Sequence, residues 1–219
     1  MPRVSSGRGG NATPPRALPG RLFPGAAPGA RVGLFGGSFD PAHEGHLAVA
    51  AAARAACRLD RVIWLVTPRS PLKPDQAYAS LADRLAGARR AARGRPWLGV
   101  SGAEAALGTR FTADTLRAVR RRRPDLRLVW IMGADSLASF HRWRDWRGIA
   151  ASAPMLVVSR PGHGRGALRS RAARTLAGAR LPPGAASSLP CRAAPAWIYL
   201  PGVSVPVSST AIRSRERPR

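Results

Sequence analysis

Acidic residues are scarce in this chain: Asp and Glu together number 11 against 36 Lys and Arg, a formal charge of +25 at neutral pH. Lysine is scarcer still, with Lys73 alone. The remaining cations are arginines spread through every segment, as the Arg-, Ala-, Gly- and Pro-rich coding of a GC-rich genome produces. Such a basic balance raises the expectation of polyanion contact. The one dense run, Arg120 to Arg123, closes a predicted helix just before Pro124, where cations complement the helix dipole. That run therefore has a structural explanation, and no specific nucleic-acid partner is expected. The two cysteines, Cys57 and Cys191, lie far apart without ligand spacing. They argue against a disulfide framework and fit a reducing, cytoplasmic compartment. Long apolar runs are absent too, so no segment reads as a membrane span. The first thirty residues lack the continuous apolar stretch of a secretory signal. Residues 1–30, rich in Gly, Pro, Ala and Arg, read as a disordered basic tail or an overcalled start, leaving residues 31–219 as a single domain.

Within that domain, apolar runs alternate with helical patterns. Strands are expected at Arg31–Gly36, Arg61–Thr67, Trp97–Ser101, Arg127–Met132, Pro154–Ser159 and Ala196–Leu200. Helices are expected near Leu47–Cys57, Ser80–Arg93, Thr112–Arg123 and Ala134–Phe140, with a shorter one around Ala167–Ala177. Strands that are apolar throughout and separated by helices indicate a parallel sheet covered on both faces. The fold class is α/β, a doubly wound parallel sheet of Rossmann-like type, with ligands expected beyond the carboxyl ends of the strands. Arg160–Gly166 and Pro182–Pro195, rich in Gly, Pro, Ser and Ala, read as surface loops within this domain.

The most informative stretch follows the first strand: Gly36-Gly37-Ser38-Phe39-Asp40-Pro41-Ala42-His43-Glu44-Gly45-His46. Glycines let backbone N–H groups approach a ligand, and the start of the next helix offers unpaired donors at the positive end of its dipole. Positions i and i+3 of a first turn share a face, so His43 and His46 can converge on one anion. The stretch is shaped for phosphate. Neither a dinucleotide fingerprint nor a P-loop lysine motif is present.

These residues resemble the nucleotidyltransferase superfamily that carries H-x-G-H. A second signature of that superfamily, S-S-T-x-I-R, is matched by Ser208-Ser209-Thr210-Ala211-Ile212-Arg213. The internal segments narrow the resemblance to the bacterial nicotinate mononucleotide adenylyltransferases. They are Thr67-Pro68-Arg69-Ser70-Pro71-Leu72-Lys73, the run from Leu107 to Leu116, and Met132-Gly133-Ala134-Asp135-Ser136-Leu137 followed by Trp143 and Trp146. The match runs from about Val32 to Arg213. It implies transfer of the adenylyl group of ATP to nicotinate mononucleotide, giving nicotinate adenine dinucleotide and pyrophosphate in NAD biosynthesis. Mg²⁺ would arrive with ATP, held mainly by phosphate oxygens and water, so no dedicated protein metal site is expected.

The resemblance also implies roles. His43, His46, Lys73 and Arg213 are the catalytic candidates. Gly36, Ser38, Phe39, His43, His46, Ser208, Ser209, Thr210 and Arg213 are candidates for holding ATP. Gly37, Ser38, Lys73, Thr109, Thr112, Asp135 and Trp143 are candidates for the acceptor, Trp143 by stacking on the pyridine ring. Asp135 reads equally as a helix N-cap, and Trp146 equally as core. Many members continue past S-S-T-x-I-R with a further helical segment, whereas this chain ends at Arg219; the oligomeric state is left open. The nearest rival is another adenylyl- or cytidylyltransferase of the superfamily, such as a phosphopantetheine adenylyltransferase, which has no evident use for the M-G-A-D-x-L…W-x-x-W segment. A basic nucleic-acid-binding protein is the rival of another class, and the aromatics interleaved with cations that it calls for are not seen.

Overall fold

In the computed structural model of the chain, residue 23 and residues 25–68, 78–159 and 164–202 are described. Seven strands among these residues form one sheet: β1 (Arg31–Gly37), β2 (Arg61–Val66), β3 (Leu98–Ser101), β4 (Arg127–Gly133), β5 (Met155–Val158), β6 (Arg180–Leu181) and β7 (Trp197–Leu200). Their order across the sheet is β3-β2-β1-β4-β5-β7-β6. Every pairing is parallel. β1 is an interior strand: Leu34 stands opposite Ile63 on one side and Trp130 on the other. The chain winds outward from β1 through β2 to β3, then crosses back to β4. Connections leaving β1 and β4 therefore diverge, and a crevice opens between them at the carboxyl edge of the sheet.

Alternate residues of each strand feed two buried layers, which is why the strand runs are apolar throughout. Leu34, Ile63, Leu128 and Trp130 face one layer with Leu116 and Phe140. Phe35, Trp64, Val129 and Ile131 face the other with Ala50, Ala53 and Leu189. The helices are α1 (Glu44–Cys57), α2 (Leu81–Ala92), α3 (Ala103–Leu107), α4 (Thr112–Arg122), α5 (Ala134–Ser139), α6 (Trp146–Ser152), α7 (Gly164–Leu168) and α8 (Arg171–Thr175). In α1, Ala50 and Ala53 are fully buried. Their small side chains let the helix lie close on the sheet without side-chain entropy cost. α2 starts at Ser80, whose hydroxyl caps the Asp83 N–H at 3.1 Å. No described helix is long and apolar enough to cross a membrane.

The structure departs from the sequence expectation in several places, among them the two-residue strand β6, which was not expected. Phe23 is 5% exposed and Ala30 9%, both packed into the first core layer. Arg61 and Arg123 also hold the carbonyls of Gly25 and Ala26. The packed body thus includes residues on the tail side of the expected boundary at residue 30. α3 and α6 were not foreseen. The expected helix over Ala167–Ala177 is two short helices, broken where the Ser170 hydroxyl caps α8. Finally, Pro183–Cys191, expected as surface loop, is a run of 3₁₀ turns that buries Ala186, Leu189 and Pro190.

Arginine serves the backbone in this fold. Arg61, Arg84, Arg95, Arg120, Arg122 and Arg123 all donate to main-chain carbonyls. The Arg120–Arg123 run both ends α4 and ties it to Ser152, Leu126 and Ala26.

Candidate active site

The turn after β1 brings its two histidines into ring contact. Phe39 adopts a left-handed backbone, φ +48°, which folds the chain sharply back toward α1. Its side chain is fully buried. It stacks on Trp64 of β2 at 4.8 Å between ring centroids and also lies 4.8 Å from His46, which is itself 6.1 Å from Trp64. His46 in turn lies 3.9 Å from His43. Trp64, Phe39, His46 and His43 thus form one ring cluster between the sheet and the start of α1. Favourable ring packing of this kind is what repays the backbone strain at Phe39. As an ATP ligand Phe39 has no exposed side-chain surface to offer, and the residue acts as the support of His46.

The two imidazoles cap α1 reciprocally. His43 is the N-cap, with Nδ1 accepting the Gly45 N–H at 3.0 Å; the His46 Nδ1, three residues on, accepts the His43 N–H at 3.3 Å. This is the capping-box arrangement with imidazole in place of hydroxyl and carboxylate. A ring nitrogen that accepts an N–H cannot carry a proton itself, so each neutral ring holds its hydrogen on Nε2. Both imidazoles therefore become Nε2–H donors at a helix N-terminus, suited to anionic oxygens. His43 is buried and His46 half-buried.

The glycines before them have separate tasks. A Cβ on Gly36 would stand 2.7 Å from Cη2 of Trp130, and one on Gly37 would stand 3.2 Å from Cε2 of Phe39. Gly36 thus makes room for a buried indole of β4, and Gly37 for the Phe39 ring. The Gly37 carbonyl accepts from the Thr67 N–H at 2.9 Å and its hydroxyl at 3.3 Å, joining the ends of β1 and β2. The Ser38 carbonyl accepts from Arg84 at 2.9 Å.

Across the crevice, β4 ends at Gly133, the N-cap of α5. Asp135 is therefore inside the first turn of α5 and not its cap, with its carboxylate folded back against Gly133. Trp143 is half-buried, edge-on to Trp130 at 6.5 Å and to Phe140 at 5.5 Å. Trp146 is 8% exposed and belongs to the core. Thr109 turns its hydroxyl inward, 2.8 Å from Thr115 and 3.4 Å from the Glu104 carbonyl. Thr112 opens α4, whose N-cap, Phe111, supplies no side-chain bond. The Arg144 guanidinium lies 4.5 Å from the centre of the Phe111 ring, and Arg117 bridges Asp114 and Asp145. The segments carrying Thr109–Thr112 and Trp143 are thereby joined.

Three features of the site were not read from sequence. Trp64 and Trp130 support the motif from β2 and β4, and Arg84 binds its backbone. Glu104 is 3% exposed. Burial pushes its carboxyl up to about 7, partly offset by a hydrogen bond from Thr115. Lys73, Ser208, Ser209, Thr210 and Arg213 lie outside the described residues.

The cytidylyltransferase-like family matches residues 34–215, which places the chain among nucleotidyltransferases built on this sheet. A probable nicotinate-nucleotide adenylyltransferase of Caulobacter sp. (strain K31) is 54% identical over 186 residues, 85% of this chain and 98% of that protein. One of the same name from Bradyrhizobium sp. (strain BTAi1) is 51% identical over 184 residues, 84% of this chain and 95% of that protein. The chain belongs to the nicotinate-nucleotide adenylyltransferase family. Its fold is shared by the nicotinic acid mononucleotide adenylyltransferase of Plasmodium falciparum solved with NaAD. The TM-score is 0.62 at 12% identity, over 84% of this chain and 83% of that one. Nucleotidyl transfer of this class implies a divalent cation.

Proposed function

We infer that the chain transfers the adenylyl group of ATP to nicotinate mononucleotide, releasing pyrophosphate and forming nicotinate adenine dinucleotide. The observation that carries this reading is the pair of imidazoles, 3.9 Å apart, at the N-terminus of α1 and beside the β1–β4 crevice. Such a pair presents Nε2–H donors to a polyphosphate without needing a protein nucleophile. A phosphate oxygen of the mononucleotide attacks the α-phosphorus of ATP, and the bond from that phosphorus to the bridging oxygen of pyrophosphate breaks. Catalysis then consists of holding attacker and leaving group in line and stabilising charge on the transferring group.

In this reading His46 stabilises the transition state and His43 the ATP phosphates beside it. Gly36 and Gly37 hold the turn by packing, and the backbone of Gly37, Ser38 and Phe39 borders the substrates. Lys73 adds a cation near the phosphates, while Ser208, Ser209, Thr210 and Arg213 hold the leaving pyrophosphate. Trp143 stacks on the pyridine ring of the acceptor, with backbone N–H groups between Thr109 and Thr112 donating to its carboxylate, the Thr109 N–H itself being held by the Glu104 carbonyl, and Asp135 accepting from ribose. Mg²⁺ enters as part of the ATP substrate. In this reading the ion is held mainly by phosphate oxygens and water. The donor and acceptor in this reading are both small molecules, and the reading places the enzyme in the cytoplasm. The test is turnover with purified protein, ATP, Mg²⁺ and nicotinate mononucleotide, read as pyrophosphate release.

A further inference from the structure

α2 carries one buried arginine, and the reaction scheme above does not use it. Arg84 is 3% exposed on a helix whose other arginines, Arg89 and Arg90, are exposed. Four of its five N–H donors meet main-chain carbonyls. Nε donates to Ala79 at 3.0 Å, Nη1 to Ser38 at 2.9 Å and to Thr67 at 2.7 Å, and Nη2 to Pro68 at 2.7 Å. Tyr78 lies beneath the guanidinium, 5.5 Å from the ring centre. Burial lowers the pKa of Arg84, and the charges of Asp40 and Tyr78 oppose that shift.

Those four carbonyls come from three separate pieces of chain. Ser38 belongs to the turn that carries His43 and His46. Thr67 and Pro68 follow β2, and Ala79 precedes α2. Pro68 and Ala79 stand in sequence on either side of the stretch that contains Lys73. Carbonyl oxygens converging on one point repel each other unless a donor fork lies between them, and only a planar guanidinium satisfies four at once. The Thr67–Gly37 bonds already join the ends of β1 and β2. Arg84 extends that junction to the turn itself.

We propose that Arg84 is a positioning residue for adenylyl transfer: through the Ser38, Thr67, Pro68 and Ala79 carbonyls it fixes the histidine turn against the chain leaving β2, so that both substrates meet the imidazoles in line. The inference rests on the adenylyltransferase reading above. Its effect falls on geometry during reaction, where small misplacements are costly in rate, and less on ground-state affinity.

The chain supplies its own control. Arg120 is also partly buried and clamps carbonyls, Ser152 at 3.0 Å and Leu126 at 3.3 Å, but at the amino edge of the sheet, away from the crevice. Arg84→Lys and Arg120→Lys are compared for melting temperature, kcat and the KM of each substrate. Arg84→Lys is expected to lower kcat by at least about tenfold, with each KM within about threefold. Arg120→Lys is expected to lose stability with kcat unchanged. Millimolar guanidinium is expected to restore part of the kcat of Arg84→Ala and none to Arg120→Ala. If the Arg84 variants do not fold, nitrogen-resolved NMR of the unmodified enzyme decides. A clamped guanidinium shows hindered rotation and a slowly exchanging Nε–H, and a freely averaging Arg84 signal overturns the proposal. So does an Arg84→Lys enzyme with unaltered kcat. An unmodified enzyme that turns over no ATP with nicotinate mononucleotide defeats the functional reading instead.

Discussion

Replacing His46 by Asn, Gln and Ala separates the two nitrogens of its ring. Nδ1 accepts the His43 N–H, a structural bond at the start of α1. Nε2 is the donor assigned to substrate. Asn places an oxygen near the position of Nδ1, whereas Gln places its amide near Nε2. Loss of a helix cap costs about 1 kcal/mol, and loss of an aromatic contact such as that with Phe39 about another 1 kcal/mol. His46→Ala should therefore lose about 2 kcal/mol. For a domain of this size that lowers Tm by roughly 4–8 °C. His46→Asn keeps the cap and should lose about half as much. Turnover follows the other nitrogen: Asn and Ala should both lower kcat by on the order of a hundredfold or more, the scale for losing one preorganised donor, and Gln should retain more than either. Denaturant melts and steady-state pyrophosphate release measure both quantities on the same samples. An Asn variant as unstable as Ala would refute the capping role of Nδ1. An Asn variant with near-full turnover would remove His46 from the chemistry.

Gly36→Ala forces a methyl to 2.7 Å from the buried Trp130 ring, and overpacking should cost about 1–3 kcal/mol. In a double-mutant cycle with Trp130→Leu the two losses should couple by at least about 1 kcal/mol; additive losses would show that the two residues do not compete for space. Glu104 binds its proton more tightly folded than unfolded, at about 7 against an ordinary 4.5. Its contribution is thus fully present below pH 4.5 and lost as pH rises through 7, by roughly 3 kcal/mol. Glu104→Gln should flatten stability across that window, and an unaltered pH profile would deny the buried acid. Removal of residues 1–22 should leave kcat and Tm unaltered. Phe23→Ala, at 5% exposure in the core, should cost several kcal/mol, about 3–5 at the upper end; a silent Phe23→Ala would return residue 23 to the tail.

What the sequence disclosed follows from how local each signal is. Apolar strand runs and the glycine–histidine turn are contiguous, so the parallel sheet and the convergence of His43 with His46 were legible. α1 starts three residues before its expected position because His43 itself caps it, a role that composition assigns to Ser, Thr, Asp or Asn. α3 and α6 are five and seven residues long, too short for helical periodicity to register. The Asp145 cap of α6, with its carboxylate accepting the Gly148 N–H at 3.2 Å, was the one local clue. Pro183–Cys191 carries loop composition, but it covers β7 and α1 and so buries Leu189. Arg84 was indistinguishable from its neighbours in an arginine-rich helix. Its partners are up to 46 residues away, and no local pattern encodes them.

Acceptor choice tests the central claim most directly. Purified enzyme with ATP and Mg²⁺ is offered nicotinate mononucleotide, nicotinamide mononucleotide and phosphopantetheine in turn, with pyrophosphate release and dinucleotide formation as readouts. A carboxylate met by backbone N–H donors is matched, whereas an amide would set donor against donor. The account predicts turnover with nicotinate mononucleotide and a preference over the nicotinamide form of at least about tenfold in kcat/KM, or roughly 1.4 kcal/mol. Trp143→Ala should raise the KM of the acceptor and leave that of ATP nearly unaltered. Equal use of the two mononucleotides would contradict the specificity, and turnover with phosphopantetheine alone would contradict the claim itself.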